Sequence, residues 1–137
     1  MQTLPLSQSD KTDLLADWLN AVNRLVSDIS VWAQEDGWTV RADQIEITEE
    51  ALGPYTAPML EIDTPDGRLI LEPIARIVFR GEGRVDFYAW PTLFRVMLLY
   101  KPTEKRWIVR TDSGINWPHP WNRETFVAIG KGLLKDE

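Results

Sequence analysis

Apolar residues recur at spacings of three and four from Leu15 through Trp18, Leu19, Val22, Leu25, Val26 and Ile29 to Trp32, while Asp13, Asp17, Asn20 and Asp28 fill the other side. That period predicts an amphipathic helix from about Asp10 to about Gln34. Ser9 is placed to cap it, Asp10 and Asp13 suit the positive end of the helix dipole, and Gly37 suits the left-handed position after the last turn. Docking of the apolar stripe on the chain's own sheet is expected over insertion into a partner's groove.

From Trp38 the pattern changes to short runs of β-type residues with turn signals between them, which predicts an antiparallel meander rather than alternating β-α units. Thr64-Pro65-Asp66-Gly67 predicts a turn that pairs Leu60 to Asp63 with Arg68 to Glu72, because Pro and Asp suit the central positions and Gly accepts positive φ. Gly81-Glu82-Gly83 is read as joining Ile74 to Arg80 with Arg84 to Ala89. Lys101-Pro102-Thr103-Glu104 is read as joining Leu93 to Tyr100 with Arg106 to Thr111, and one or more earlier strands are expected between Trp38 and Thr48. A shorter helix opens at the N-cap Asn122, with Phe126, Val127, Ile129, Leu133 and Leu134 as its apolar contacts. Gly130 and Gly132 weaken it by about 0.8 to 1 kcal/mol each relative to Ala. The expected fold is one α+β domain over residues 1–137: a long N-terminal helix and a short C-terminal one packed on a twisted antiparallel sheet of about six strands.

Side-chain alternation carries the reading further. A three-residue loop at 81–83 would set Arg80 beside Arg84, Val78 beside Asp86 and Arg76 beside Tyr88. One face of that hairpin would then be Ala75, Ile77, Phe79, Val85, Phe87 and Ala89, all apolar and assigned to the core. The other face collects Arg76, Arg80, Arg84, Asp86 and Tyr88, and Arg95 joins it beside Asp86. Two readings of this arginine-rich face stand: a solvated face in which Asp86 pairs Arg84 or Arg95, and a site for an anion or acidic partner, since guanidinium forks hold carboxylate and phosphate bidentately.

Charge and composition narrow the function. The 137 residues carry 15 Lys and Arg against 21 Asp and Glu, a net charge of −6, so general attraction to nucleic acid is excluded from the expectation. No apolar run approaches the roughly 20 residues of a membrane span, and the first residues lack the pattern of a secretory signal. Cysteine is absent, which removes disulfides, thiolate metal sites and cysteine nucleophiles and fits the bacterial cytoplasm.

The segment Gly114 to Asn122 holds two of the seven tryptophans, the single histidine and two of the nine prolines. Pro118 and Pro120 fix their own φ and bias their predecessors toward extended geometry, so Trp117, His119 and Trp121 are expected on a stiff loop before the last helix. The stiffness suits either a ligand surface or a corner packed on the core. His119 lacks the partners of a catalytic triad or a zinc site: Asp112 and Ser113 are explained by the turn they form with Gly114, and no second His or thiolate exists. No phosphate-binding glycine motif occurs, because no helix follows Gly81-Glu82-Gly83.

The sequence therefore predicts a non-catalytic binding or interaction protein of the cytoplasm, with a protein partner or a second copy, no cofactor and no metal. Its candidate binding residues are Trp117, His119, Trp121, Arg76, Arg84, Tyr88 and Arg95. The alternative is a small-molecule or anion site, with hydrolytic chemistry, lined by Trp117, His119, Trp121 and the sheet arginines.

Overall fold

Residues 6–77, 81–92 and 94–135 are described by the computed structural model, and they form two helices and six strands. Helix α1 spans Gln8–Glu35 and buries Trp18, Ala21, Val22, Leu25, Ile29 and Ala33, the inner half of the stripe seen in the sequence. It begins ahead of Ser9. Ser7 is the cap, because its Oγ accepts from the Asp10 N–H at 3.0 Å while Asp10 Oδ2 accepts from the Ser7 N–H at 3.3 Å, which satisfies two end donors at once. At the far end Gly37 takes φ +79, the left-handed position expected of it.

Strands β1 (Thr39–Glu49), β2 (Gly53–Thr64), β3 (Gly67–Ala75), β4 (Gly83–Trp90), β5 (Arg95–Lys101) and β6 (Arg106–Thr111) form one antiparallel sheet in sequence order. Helix α2 (Arg123–Lys135) follows, capped as expected by Asn122, whose Oδ1 accepts from the Thr125 N–H at 2.9 Å. The β2–β3 turn is the one read from Thr64 to Gly67: Thr64 pairs Gly67, and Thr64 Oγ1 accepts from the Asp66 N–H at 3.1 Å. In the β5–β6 turn Lys101 pairs Arg106, so β5 runs one residue further than expected, β6 opens at Arg106 as expected, and Lys105 takes φ 54.

The β3–β4 hairpin differs from its sequence reading. Glu72 pairs Asp86, Ile70 pairs Tyr88 and Ala75 pairs Arg84, with a register shift between Pro73 and Ala75. The two strands expected at Arg68 to Glu72 and Ile74 to Arg80 are one strand that ends at Ala75, and the connection opens there rather than at Gly81. Pro73, which cannot donate to a ladder, is accommodated within the strand by this shift in register. Ile77 is therefore exposed rather than core, and Arg76 lies beyond the strand rather than beside Tyr88. Val78, Phe79, Arg80 and Leu93, placed in strands by the sequence, lie outside the described residues.

Both helices cover one face of the sheet, and the core lies between. Trp18, fully buried, sits 6.2 Å from the Tyr100 ring and 5.9 Å from Trp107. Phe126 of α2 stacks on Phe87 at 5.6 Å and meets Trp32, Trp38 and Trp121. The apolar set Val85, Phe87 and Ala89 faces inward as expected, with relative exposures of 1% or less.

Two glycines separate packing from propensity. A Cβ at Gly83 would overlap the Trp18 ring, whereas a Cβ at Gly132, on the exposed side of α2, would meet nothing within 4 Å. Gly83→Ala is expected to destabilise by about 1 to 3 kcal/mol through overpacking. Gly132→Ala is expected to stabilise by about 0.5 to 1 kcal/mol by removing backbone freedom from a helix. Urea midpoints decide the pair, and equal effects would mean that Gly83 does not approach Trp18 closely.

Candidate functional site

The residues singled out by the sequence fall into three places. Arg84, Tyr88 and Arg95 lie on the face of the sheet turned away from the helices, since Val85, Phe87 and Val96 point inward. Arg76 lies past the end of β3, where it is 5% exposed and its Nη1 donates to the Gly81 carbonyl at 2.8 Å. Trp117, His119 and Trp121 lie together on the helix side, beside α1 and β6. The structure does not bring the loop and these four residues into one site.

On the outer face the two arginines converge on Asp86. Arg84 Nε and Nη2 donate to its two oxygens at 2.7 and 3.0 Å, and Arg95 Nη1 donates at 2.7 Å. Asp86 is 0% exposed, sealed by the arginine stems and by Met97 opposite it. Arg95 lies over the Tyr88 ring at 5.4 Å, and Tyr88 donates to Glu72 Oε1 at 2.7 Å. The carboxylate raises the Arg84 pKa further by its hydrogen bond. Both guanidinium groups thus already hold a carboxylate from their own sheet.

Tyrosines near carboxylates give the fold a measurable alkaline limit. Burial, then the bond to Glu72, pushes Tyr88 up to about 12, and burial raises Tyr55 and Tyr100 as well, reinforced by bonds to Glu49 and Asp17. An unfolded tyrosine ionises near pH 10. Between about 10 and 12 the native state therefore holds more protons than the unfolded one, and stability falls as pH rises. The urea midpoint is expected to drop from pH 9 to pH 11, and Tyr88→Phe to make that drop shallower. An unchanged slope in the variant would remove Tyr88 from this dependence.

The helix side also carries an open groove of about 1060 Å³ between α1 and β6, with the Pro-Trp loop at one end. Ala21 and Leu25 line it from α1, Trp107 and Val109 from β6, and Trp117 and Trp121 from the loop. The two loop tryptophans are neither free nor fully core. Each is half-buried against the core, and Trp121 lies 5.7 Å from Trp32. Its Nε1 is buried without a partner among the described residues. His119 is exposed at the rim.

At the other end Asp17 accepts from the Tyr100 hydroxyl at 3.1 Å and from Lys105 Nζ at 2.5 Å, and this bond raises the Lys105 pKa. Arg24 stands on the α1 wall and makes no ion pair among the described residues; Arg106 and Arg110 stand on the β6 side. Sequence reasoning missed Arg24 and Trp107. One signal for Arg24 existed: after Lys11 it is the only basic residue in α1.

Ser113 shares its hydroxyl with Thr111 Oγ1 at 2.9 Å, and Gly114 adopts φ 85, so the Asp112 to Gly114 segment forms the turn expected of it. Among the described residues no three His, Asp or Glu side chains gather as a metal site, and no helix is long and apolar enough to cross a membrane. The chain matches no protein-family model, and no match is found among curated proteins or solved structures.

Proposed function

We propose that this protein is a non-catalytic binding module of the cytoplasm that takes a protein partner into the groove between α1 and β6. The observation that carries this reading is the groove itself. It is about 1060 Å³ in volume and lined by aliphatic and aromatic side chains together with charged ones from both walls. Such a mixture of apolar and polar lining suits recognition. Trp107, Trp117 and Trp121 supply rigid aromatic area of the kind that anchors interfaces. The absence of cysteine supports a reducing compartment.

Display of random peptides against the folded protein tests the reading. Enriched binders are expected to lose about tenfold or more of their affinity for Asn20→Trp, a change on the exposed groove side of α1 that fills the space without entering the core. Binders that hold the variant as tightly as the native chain would place recognition elsewhere.

A further inference from the structure

The chain starts a seventh strand and abandons it. The Trp117 N–H donates to the Val109 carbonyl at 2.8 Å, the Thr111 N–H donates to the Ile115 carbonyl at 2.9 Å, and Arg110 faces Asn116 across this antiparallel bridge. After Trp117 the two prolines steer the chain away from β6. By Pro120 its carbonyl already accepts from Thr125 Oγ1 at 2.7 Å, at the start of α2.

An antiparallel strand turns the main-chain groups of alternate residues to alternate sides. Because Val109 and Thr111 turn theirs away from β5, Trp107 does the same. Its N–H and C=O, with the N–H of Val109, therefore face the vacated position, and none of the three has a partner among the described residues. This stretch of β6 lines the groove.

We propose that the open edge of β6 at Trp107 to Val109 accepts an extended acidic peptide segment as a further strand, filling the place that Pro118 and Pro120 leave empty. The proposal rests on the groove being the binding site. Charge selects the occupant: five Lys and Arg (Arg24, Lys101, Lys105, Arg106, Arg110) line the groove against three acids (Asp17, Asp28, Glu104), in a chain where acids outnumber bases 21 to 15. Lys105 is held by Asp17, Arg106 by Glu104, and Lys101 and Arg110 by Glu82, which leaves Arg24 as the cation of the five without an ion pair among the described residues. Strand addition gives affinity through main-chain bonds and specificity through alternate side chains. Here one set meets Trp107 and the apolar floor, and the other runs alongside Arg106 and Arg110, where glutamate or aspartate fits.

The test uses a capped peptide of alternating Glu and Val, seven residues long by design, with the full chain. Saturable binding is expected, with amide exchange at Trp107 and Val109 slowed by about tenfold or more. The same peptide with Lys for Glu should bind about tenfold more weakly, and so should the Glu peptide with Arg24→Glu. N-methylation of alternate peptide residues should abolish binding in one phase and spare it in the other, since only one set of amides faces β6. Binding with unchanged exchange at Trp107 and Val109, and indifference to both methylation phases, would overturn strand addition while leaving the groove as the site. No saturable binding up to about 1 mM would also overturn it, and equal binding of the Lys peptide would overturn the acidic occupant. The Asn20→Trp comparison above then decides separately whether the groove binds anything.

Discussion

Trp18→Ala is expected to cost about 3 to 5 kcal/mol, a large part of a typical domain stability of about 5 to 15 kcal/mol. Trp18 is 0% exposed and touches three elements at once: Gly83 at the start of β4, Tyr100 at the end of β5 and Trp107 at the start of β6. Its Nε1–H also donates to the Tyr55 hydroxyl at 3.2 Å, and Tyr55 donates in turn to Glu49. Glu49 accepts the backbone N–H groups of Arg76 and Ile77 at 2.8 and 3.0 Å, so the indole helps to hold the end of β3 from the helix side. Truncation leaves a cavity and strips a buried hydroxyl of its donor. Trp18→Phe keeps much of the volume but not the hydrogen bond, and should fall between the two in urea denaturation. A loss below about 1 kcal/mol for the alanine variant would show that α1 is not anchored through this ring.

Asp86→Asn is expected to cost about 3 kcal/mol. Removing one partner of a buried ion pair typically costs about 3 to 5 kcal/mol, because the remaining charge is stranded. Arg84 and Arg95 keep 31% and 33% of their side-chain exposure, so they recover some hydration, which puts the cost at the lower end. An asparagine in this place offers one acceptor oxygen to two guanidinium groups that now repel each other. Replacing all three residues together, by Asp86→Leu with Arg84→Met and Arg95→Met, should recover much of the loss. A midpoint for Asp86→Asn within about 0.5 kcal/mol of the native chain would mean that the network leaves stability unaffected.

Where local chemistry dictates structure, the sequence is explicit. The period of α1, the cap at Asn122 and the Pro-Asp-Gly turn after β2 each depend on a few neighbouring residues, and each stands where it was expected. The β3–β4 register depends instead on how far β3 runs before it meets its partner. Gly81-Glu82-Gly83 looks like a tight turn in isolation, and only the pairing of Arg68 with Trp90 shows that the ladder starts elsewhere. Its consequence was modest on β4, because Val85, Phe87 and Ala89 alternate inward in either register, and larger for Arg76 and Ile77. The loop residues Trp117, His119 and Trp121 were legible because prolines confine them. Their groove partners Trp107 and Arg24 come from elements 10 to 97 positions away along the chain, and no short pattern announces such a meeting.

The sheet and the layer that covers it mature at different moments of synthesis. Every strand pairs with the next one in the chain, so each hairpin can close as soon as it emerges. The covering layer is split, with α1 ahead of all the strands and α2 behind them, and Phe126 is the ring that Trp32, Trp38, Phe87 and Trp121 all meet. A chain without Phe126 leaves Phe87 and Trp38 without the ring that covers them, a state that invites chaperones and self-association. Completion of the core therefore waits for α2.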